Sequence, residues 1–337
     1  IGEYTTLAQF ERRRYNGWAT PIEKLDRFSE ALDGPEIYIK RDDLLGLSAG
    51  GNKTRKLEFL VADAIDQGAD TLVTCGAVQS NHCRLTLAAA VKEGMKCRLI
   101  LEERVAGSYK EDASGNNFLF KLLGVESITV VPGGSDMAAA LEKEAEAVRQ
   151  AGRKAYVIPG GGSNTIGATG YVACAEEIMQ QLFEIGTSID HIVCPSGSTG
   201  THAGLITGFY GTNANIPITG VNVSRKKGVQ EEMVYKLVLE TAKKVGVNYI
   251  IPRESVVCLD QYVGPGYSLP TAEMAEAVRL LARTEGILLD PVYSGKTMAG
   301  MIGMIRQGVL KKGQKVLFVH TGGSPALYAY MKEVLEG

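Results

Sequence analysis

Short β-branched runs alternate with helix-like stretches along nearly the whole chain, and this alternation constrains the fold more than any other feature. The strand candidates are 36–40 (EIYIK), 71–75 (TLVTC), 97–102 (CRLILE), 127–131 (SITVV), 155–158 (AYVI), 190–194 (DHIVC), 216–223 (IPITGVNV) and 315–319 (KVLFV). Between them lie stretches such as 54–67, where Leu57, Leu60, Val61, Ala64 and Ile65 fall at i, i+3, i+4, i+7 and i+8. That spacing makes one apolar helical stripe, and Gly68 ends it. Strands separated by helices build βαβ units, whose parallel sheets carry helices on both faces. The expected class is α/β, with mostly parallel sheets flanked by helices.

Glycine, 40 of 337 residues, punctuates the pattern rather than accumulating in one place. Residues 57–165 hold four strand–helix alternations between two glycine-rich loops, SAGGNKTRK and PGGGSNTIG. We expect this segment to be a smaller domain inserted into a larger one made of 1–56 plus 166–337. Both loops then fall at the domain interface, where ligand clefts usually lie.

Charge narrows the function classes. Lys plus Arg number 36 and Asp plus Glu 38, so the balance is 36 − 38 = −2, without the basic face of a nucleic-acid or membrane-surface binder. No apolar run approaches the roughly 18 residues of a spanning helix. The stretch IGEYTTLAQFERRRYNGW has no apolar core or small-residue cleavage site of a signal peptide, so a cytoplasmic protein is expected. The cysteines (75, 83, 97, 174, 194, 258) form no C-x-x-C pair and read as small buried hydrophobes. The histidines (82, 191, 202, 320) lack metal-ligand spacing, and no metal site is expected.

Two phosphate-loop motifs fail by one residue. Gly160-Gly161-Gly162-Ser163-Asn164-Thr165 has Thr165 at the last glycine position of a dinucleotide fingerprint. DPVYSGKT at 290–297 has Asp290 where a P-loop begins with glycine. The turn Ser196-Gly197-Ser198-Thr199-Gly200-Thr201 is better placed, between strand 190–194 and a helix beginning near His202. Exposed N–H groups and a helix N-terminus there suit one phosphate monoester. A hydroxyl-capped helix start is the plainer alternative, but two glycines among four hydroxyls exceed what capping needs.

Gly50-Gly51-Asn52-Lys53-Thr54-Arg55-Lys56 puts Lys53 in a first helical turn, where the dipole disfavours a cation. A lysine so placed beside glycines is a candidate Schiff-base nucleophile of lowered pKa. Taken alone, Lys53, Arg55 and Lys56 read more readily as a solvated first turn, because lysine is mostly a surface residue. The loop 76–82 offers Gln79, Ser80 and Asn81 at another helix start, suited to a carboxylate or phenolate, with capping by Ser80 or Asn81 as the bland alternative. His82, inside that helical turn, reads as structural rather than as a base. Tyr267 and Tyr293 lie in Gly/Pro-rich turns, and His320-Thr321-Gly322-Gly323 ends strand 315–319. The RKK at 225–227 reads as a solvated loop.

In combination, GGNKTRKLEFL, QSNH, SGSTGTHAGL, PGYSLP, LLDPVYSGK and HTGG resemble the pyridoxal-phosphate enzymes of the tryptophan-synthase-β fold (fold type II). Within it they are similar to the branch of D-cysteine desulfhydrase, L-cysteate sulfo-lyase and 1-aminocyclopropane-1-carboxylate deaminase. The resemblance runs from about residue 15 to 330. It implies that Lys53 is linked covalently to pyridoxal 5'-phosphate, that Asn81 bonds the phenolic oxygen, and that Ser196, Gly197, Ser198, Thr199, Gly200 and Thr201 hold the phosphate. It further implies Thr321 near the pyridine nitrogen and Tyr267 and Tyr293 on the reacting face. Ser80 is implied beside the lysine or on the substrate carboxylate. The candidate substrate contacts are Gln79, Ser80, Asn81, His82 and Ser163, and the family usually forms homodimers.

One departure carries chemistry. The deaminase branch resembles DPVYEGK, with a glutamate where Ser294 stands here. A carboxylate would keep the pyridine nitrogen protonated and the ring a strong electron sink, whereas a hydroxyl at 294 or 321 leaves it nearly neutral. The weaker sink suffices for β-elimination of a good leaving group. PGGSDM, PGGGSN and DPVYSGK are most similar to the sulfo-lyases, so L-cysteate conversion to pyruvate, sulfite and ammonia is the expected activity. D-cysteine is the alternative substrate, cyclopropane opening a lesser one, and a cofactor carrier without turnover the non-enzyme rival. No residue stands out in the sequence as the cation that would grip a sulfonate.

Overall fold

A computed structural model describes residues 7–337; residues 1–6, at the start of the block assigned to the larger domain, lie outside the described residues. Among the described residues ten strands form two sheets. Strands β1 (Ile22–Lys24), β2 (Glu36–Arg41), β7 (His191–Ser196), β8 (Ile218–Asn222), β9 (Val257–Leu259) and β10 (Lys315–His320) make a six-stranded sheet ordered β1-β2-β10-β7-β8-β9. All its pairings are parallel except β1 with β2. Strands β3 (Thr71–Ala77), β4 (Lys96–Glu103), β5 (Ser127–Pro132) and β6 (Ala155–Val157) make a wholly parallel sheet ordered β5-β4-β3-β6. Eight strands coincide with the expected runs to within two or three residues. The three-residue strands β1 and β9 are too short to show a period and were missed.

Helices cover both faces of each sheet, as buried parallel strands require. Helices Thr165–Ile185, Gly200–Gly211 and Lys227–Val245 pack one face of the larger sheet through Tyr171, Ile206, Phe209 and Val238. Asp26–Leu32, Ala272–Glu285 and Ser294–Arg306 cover the other through Phe28, Leu281 and Met298. On the smaller sheet, Lys53–Asp66 and Asn81–Lys92 bury Leu57, Leu60, Leu85 and Ala89, while Met137–Gln150 covers the opposite face with Leu141 and Val148. All six cysteines are buried and free.

The Lys53 helix and the Thr165 helix bind the sheets together. They approach so closely that a Cβ on Gly170 would lie 2.2 Å from the Arg55 carbonyl oxygen, so only glycine fits there. Arg55 is buried, donating to Asp42 through Nε at 2.7 Å and Nη2 at 2.9 Å and to Glu177 through Nη1 at 3.0 Å. Burial pushes the Asp42 carboxyl up, but Arg55 and Lys40 outweigh it and hold it at about 2. A paired network of this kind fixes geometry, since breaking one partner strands a buried charge. It anchors the helix two residues beyond Lys53.

Candidate active site

The carboxyl ends of parallel strands from both sheets face one another across a cavity of about 700 Å³, the usual location and size of a small-molecule site. Into it run the loops after β3, β4, β6, β7, β8 and β10. Three helix N-termini, at Lys53, Asn81 and Gly200, also open there, so their partial positive charges converge on one volume. A smaller cavity of about 510 Å³, beside His191 and Tyr262, holds none of the expected site residues.

Lys53 is the first residue of its helix and lines the cavity. Its Nζ donates to the Gly161 carbonyl at 3.0 Å and to Ser198 Oγ at 3.1 Å, and burial lowers its pKa to about 8. Gly161 admits it because φ is +70° and a Cβ there would lie 2.2 Å from Ser198 Oγ. The solvated-turn alternative is overturned: Thr54, Arg55 and Lys56 are buried, and Lys56 Nζ donates to Gly161 O at 3.1 Å. Burial, then the charge of Lys53, drives the Lys56 pKa well below its ordinary value.

The turn 196–201 is not a capped helix start. Thr199 occupies the N-cap position with φ +91°, a strained value for a β-branched residue, and its side chain makes no cap hydrogen bond. The Gly200 amide donates instead to Ser163 Oγ at 3.0 Å, whose own hydroxyl donates to Ser198 Oγ at 2.8 Å. Lys56 Nζ reaches the same Ser163 oxygen at 3.5 Å. Strained backbone, helix N–H groups, hydroxyls and a buried amine together make a cradle for a phosphate monoester. Asn52 Nδ2 donates to Thr201 Oγ1 at 2.9 Å and ties the lysine loop to this turn.

Several expectations need correction. Ser196 does not line the cavity: its hydroxyl bonds His202 Nδ1 at 3.0 Å and accepts from Gln230 Nε2 at 2.9 Å behind the turn. Gln79 also lies off the cavity, its side-chain amide donating to Ser114 O at 2.9 Å and accepting from the Asn116 amide at 2.9 Å. Ser163 lines the cavity and its hydroxyl contacts the Gly200 amide, Ser198 Oγ and Lys56 Nζ. Ser294 is buried at a helix start, donating to Asp290 Oδ1 at 2.6 Å and accepting from the Asp290 amide at 2.8 Å, so only Thr321 of the two hydroxyls lines the cavity.

Asn81 and Ser80 are both present. Asn81 Oδ1 accepts from Arg84 Nη1 at 3.1 Å and Asn116 Nδ2 at 2.8 Å, which fixes the amide and leaves its NH₂ for a ligand acceptor. Ser80 caps its helix, Oγ accepting from the Cys83 amide at 3.0 Å, and keeps its hydroxyl proton to donate. His82 bonds Thr74 through Nε2 at 2.8 Å. Burial, then the charges of Lys53 and Lys56, hold its pKa well below the ordinary value, so it is a neutral wall residue. Tyr267 and Tyr293 share one hydroxyl–hydroxyl bond of 2.6 Å with rings edge to face. Burial raises both pKa values, so both hydroxyls stay protonated and neutral.

Sequence reasoning missed Lys56, Asn52, Arg104 and Arg225. Arg225 was assigned to a solvated loop, yet it lines the cavity half-buried, while Lys226 and Lys227 are exposed. The available signal is position, since Arg104 directly follows β4 and Arg225 lies three residues past the end of β8, both at carboxyl ends of strands. Among the described residues no group of three or more His, Cys, Asp or Glu could hold a metal ion.

The family model described as pyridoxal-phosphate dependent enzyme matches residues 14–322. The chain is 46% identical over 329 residues to a D-cysteine desulfhydrase of Yersinia enterocolitica, covering 97% of this chain and 98% of that one. The crystal structure of an ACC deaminase homologue superposes with a TM-score of 0.87 at 39% identity, covering 98% and 97% of the two chains. A fungal L-serine ammonia-lyase from Rhizomucor miehei, at 18% identity and TM-score 0.66 over 95% and 98%, shares the fold.

Proposed function

The chain belongs to the pyridoxal-phosphate dependent enzymes, and we propose that within them it is a carbon–sulfur lyase acting by β-elimination on a three-carbon amino acid. The observation that carries this reading is the 3.1 Å contact between the half-buried Lys53 amine and Ser198 of the uncapped turn. It supports a reading in which a nucleophilic amine and a phosphate cradle share one cavity. In this reading Lys56, Ser163 and the turn 197–201 hold the phosphate, Asn81 the phenolic oxygen, Thr321 the ring nitrogen and Lys53 the carbonyl carbon. We take residues 57–165 as the inserted smaller domain and the assembly as a homodimer.

When bound, the cofactor lets negative charge developing at Cα spread into its ring. The amides at the start of the Asn81 helix and the Ser80 hydroxyl bind the substrate carboxylate, and this fixes which Cα substituent faces Lys53. Lys53 Nζ, whose pKa burial lowers to about 8, accepts the Cα proton in its neutral form. The Cβ–S bond then breaks with its electron pair leaving on sulfur. A sulfonate departs as sulfite and needs no proton, whereas a thiolate takes one, which the Tyr267–Tyr293 pair can supply. Released 2-aminoacrylate reacts with water to give pyruvate and ammonia. A carrier would have no use for the tyrosine pair on the reacting face.

L-cysteate is the substrate we favour, on the similarity of PGGSDM, PGGGSN and DPVYSGK to sulfo-lyases. The D-cysteine reading is favoured by the 46% identical relative. The test is separate incubation of the holoenzyme with L-cysteate, D-cysteine and 1-aminocyclopropane-1-carboxylate. Pyruvate with sulfite from the first supports our reading, pyruvate with sulfide from the second selects the other, and 2-oxobutanoate alone contradicts both.

A further inference from the structure

Two guanidinium groups line the cavity without a role in the chemistry so far derived. Arg104 lies with Cζ 4.2 Å from the centroid of the Tyr267 ring, and its Nε donates to Glu102 at 3.0 Å. Arg225 donates through Nη1 to Gly197 O at 2.8 Å and Gln230 Oε1 at 3.1 Å, and it has no ion pair among the described residues. The two cations lie near enough that burial, then the charge of Arg104, lowers the Arg225 pKa. One carboxylate, Glu102, therefore balances two positive charges on the reacting side.

A substrate with a single anionic group leaves this excess unused. The start of the Asn81 helix already serves the α-carboxylate, and the 197–201 turn with Lys56 already serves the phosphate. What remains is a third positive centre, next to the tyrosines that face the departing group. Guanidinium forks match the tetrahedral oxygens of a sulfonate through paired hydrogen bonds.

We propose that Arg104, seconded by Arg225, binds a second anionic group on the substrate β-carbon and makes the site selective for a sulfonate over a neutral thiol. This inference rests on the lyase reading above. A plainer role exists for each residue: Arg104 pins Tyr267, and Arg225 braces Gly197. The experiment must separate those roles from specificity.

The measurement is steady-state kinetics of holoenzyme with L-cysteate and with β-chloroalanine, which eliminates chloride and carries no distal anion, for wild type, Arg104→Gln, Arg104→Lys and Arg225→Gln. Titration calorimetry with L-homocysteate, whose γ-sulfonate cannot leave by β-elimination, reads binding without turnover. Arg104→Gln should raise the L-cysteate KM and the L-homocysteate Kd by roughly 10–100-fold, the scale of one lost charge-assisted hydrogen bond, with Arg104→Lys recovering part. The β-chloroalanine kcat/KM should stay within about threefold of wild type. Equal losses on both substrates would reduce Arg104 to a tyrosine support and overturn the proposal, as would an unchanged Kd in both Gln variants. If wild type eliminates nothing yet binds L-homocysteate through Arg104, the lyase reading fails while the anion site stands.

Discussion

Lys53 Nζ and Lys56 Nζ donate to the same acceptor, the Gly161 carbonyl oxygen, at 3.0 and 3.1 Å. Burial lowers both pKa values, and the charge of Lys53 lowers that of Lys56 further. The arrangement suits a doubly anionic ligand: a phosphate compensates the charge held on these amines, and a pKa of about 8 leaves Lys53 a neutral fraction for nucleophilic addition.

In the proposed reading Lys56 is a phosphate partner and not a second nucleophile. Lys56→Gln removes a charge-assisted bond of about 1.5–3 kcal/mol, so pyridoxal phosphate should bind roughly 10–100-fold more weakly. Equilibrium dialysis of the variant measures this, and wild-type affinity would remove Lys56 from the cradle.

Lowered basicity at Lys53 has a pH signature. Only the neutral amine adds to an aldehyde, and with a pKa of about 8 the neutral fraction rises about tenfold per unit below that value and saturates above it. Recombination of apoprotein with pyridoxal phosphate should accelerate from pH 6.5 to 8 and level off by about pH 9. Stopped-flow absorbance follows the rate. Continued acceleration to pH 10 would mean that burial does not depress Lys53.

A 2.6 Å contact joins the Tyr267 and Tyr293 hydroxyls, and in the proposed reading the two share one proton pathway. Either Tyr→Phe change should lower kcat by roughly 10²–10⁴-fold if thiolate is the leaving group, because a departing thiolate needs the proton, and far less for sulfite. The double variant should fall little below the worse single one, as coupled groups are not additive. Additive losses in a double-mutant cycle would contradict a shared pathway.

Ser294 acts on the fold. Its hydroxyl closes onto Asp290, whose carboxylate also accepts from the amides of Val292, Tyr293 and Ser294. Ser294→Ala should cost about 1 kcal/mol of stability, the usual scale for a helix-start hydrogen bond, and leave kcat/KM nearly unchanged. Thermal melts with parallel kinetics test it, and lost activity at unchanged stability would return position 294 to the chemistry.

The sequence was readable where local rules act alone. The period of Leu57, Leu60, Val61 and Ala64 specified the Lys53 helix, and the glycines and hydroxyls of 196–201 marked a turn that lines the cavity. The strain at Thr199 and the missing cap are tertiary facts, visible only once Ser163 arrives from another loop to take the Gly200 amide. Gln79 and Ser294 went astray for the reverse reason: polar side chains at helix starts serve backbone partners as readily as ligands. Arg104 and Arg225 come from loops 121 residues apart, by the difference 225 − 104, and no local pattern announces that they meet.

The central claim is that Lys53 anchors the cofactor and performs the proton transfer. Borohydride reduction of the holoenzyme followed by peptide mapping tests it most directly. The account predicts a yellow protein whose visible band bleaches on reduction, with the pyridoxyl group recovered on Lys53. It predicts also that Lys53→Ala still retains cofactor through the phosphate cradle but produces almost no pyruvate. A pyridoxyl group on Lys56, or none on either lysine, would contradict it.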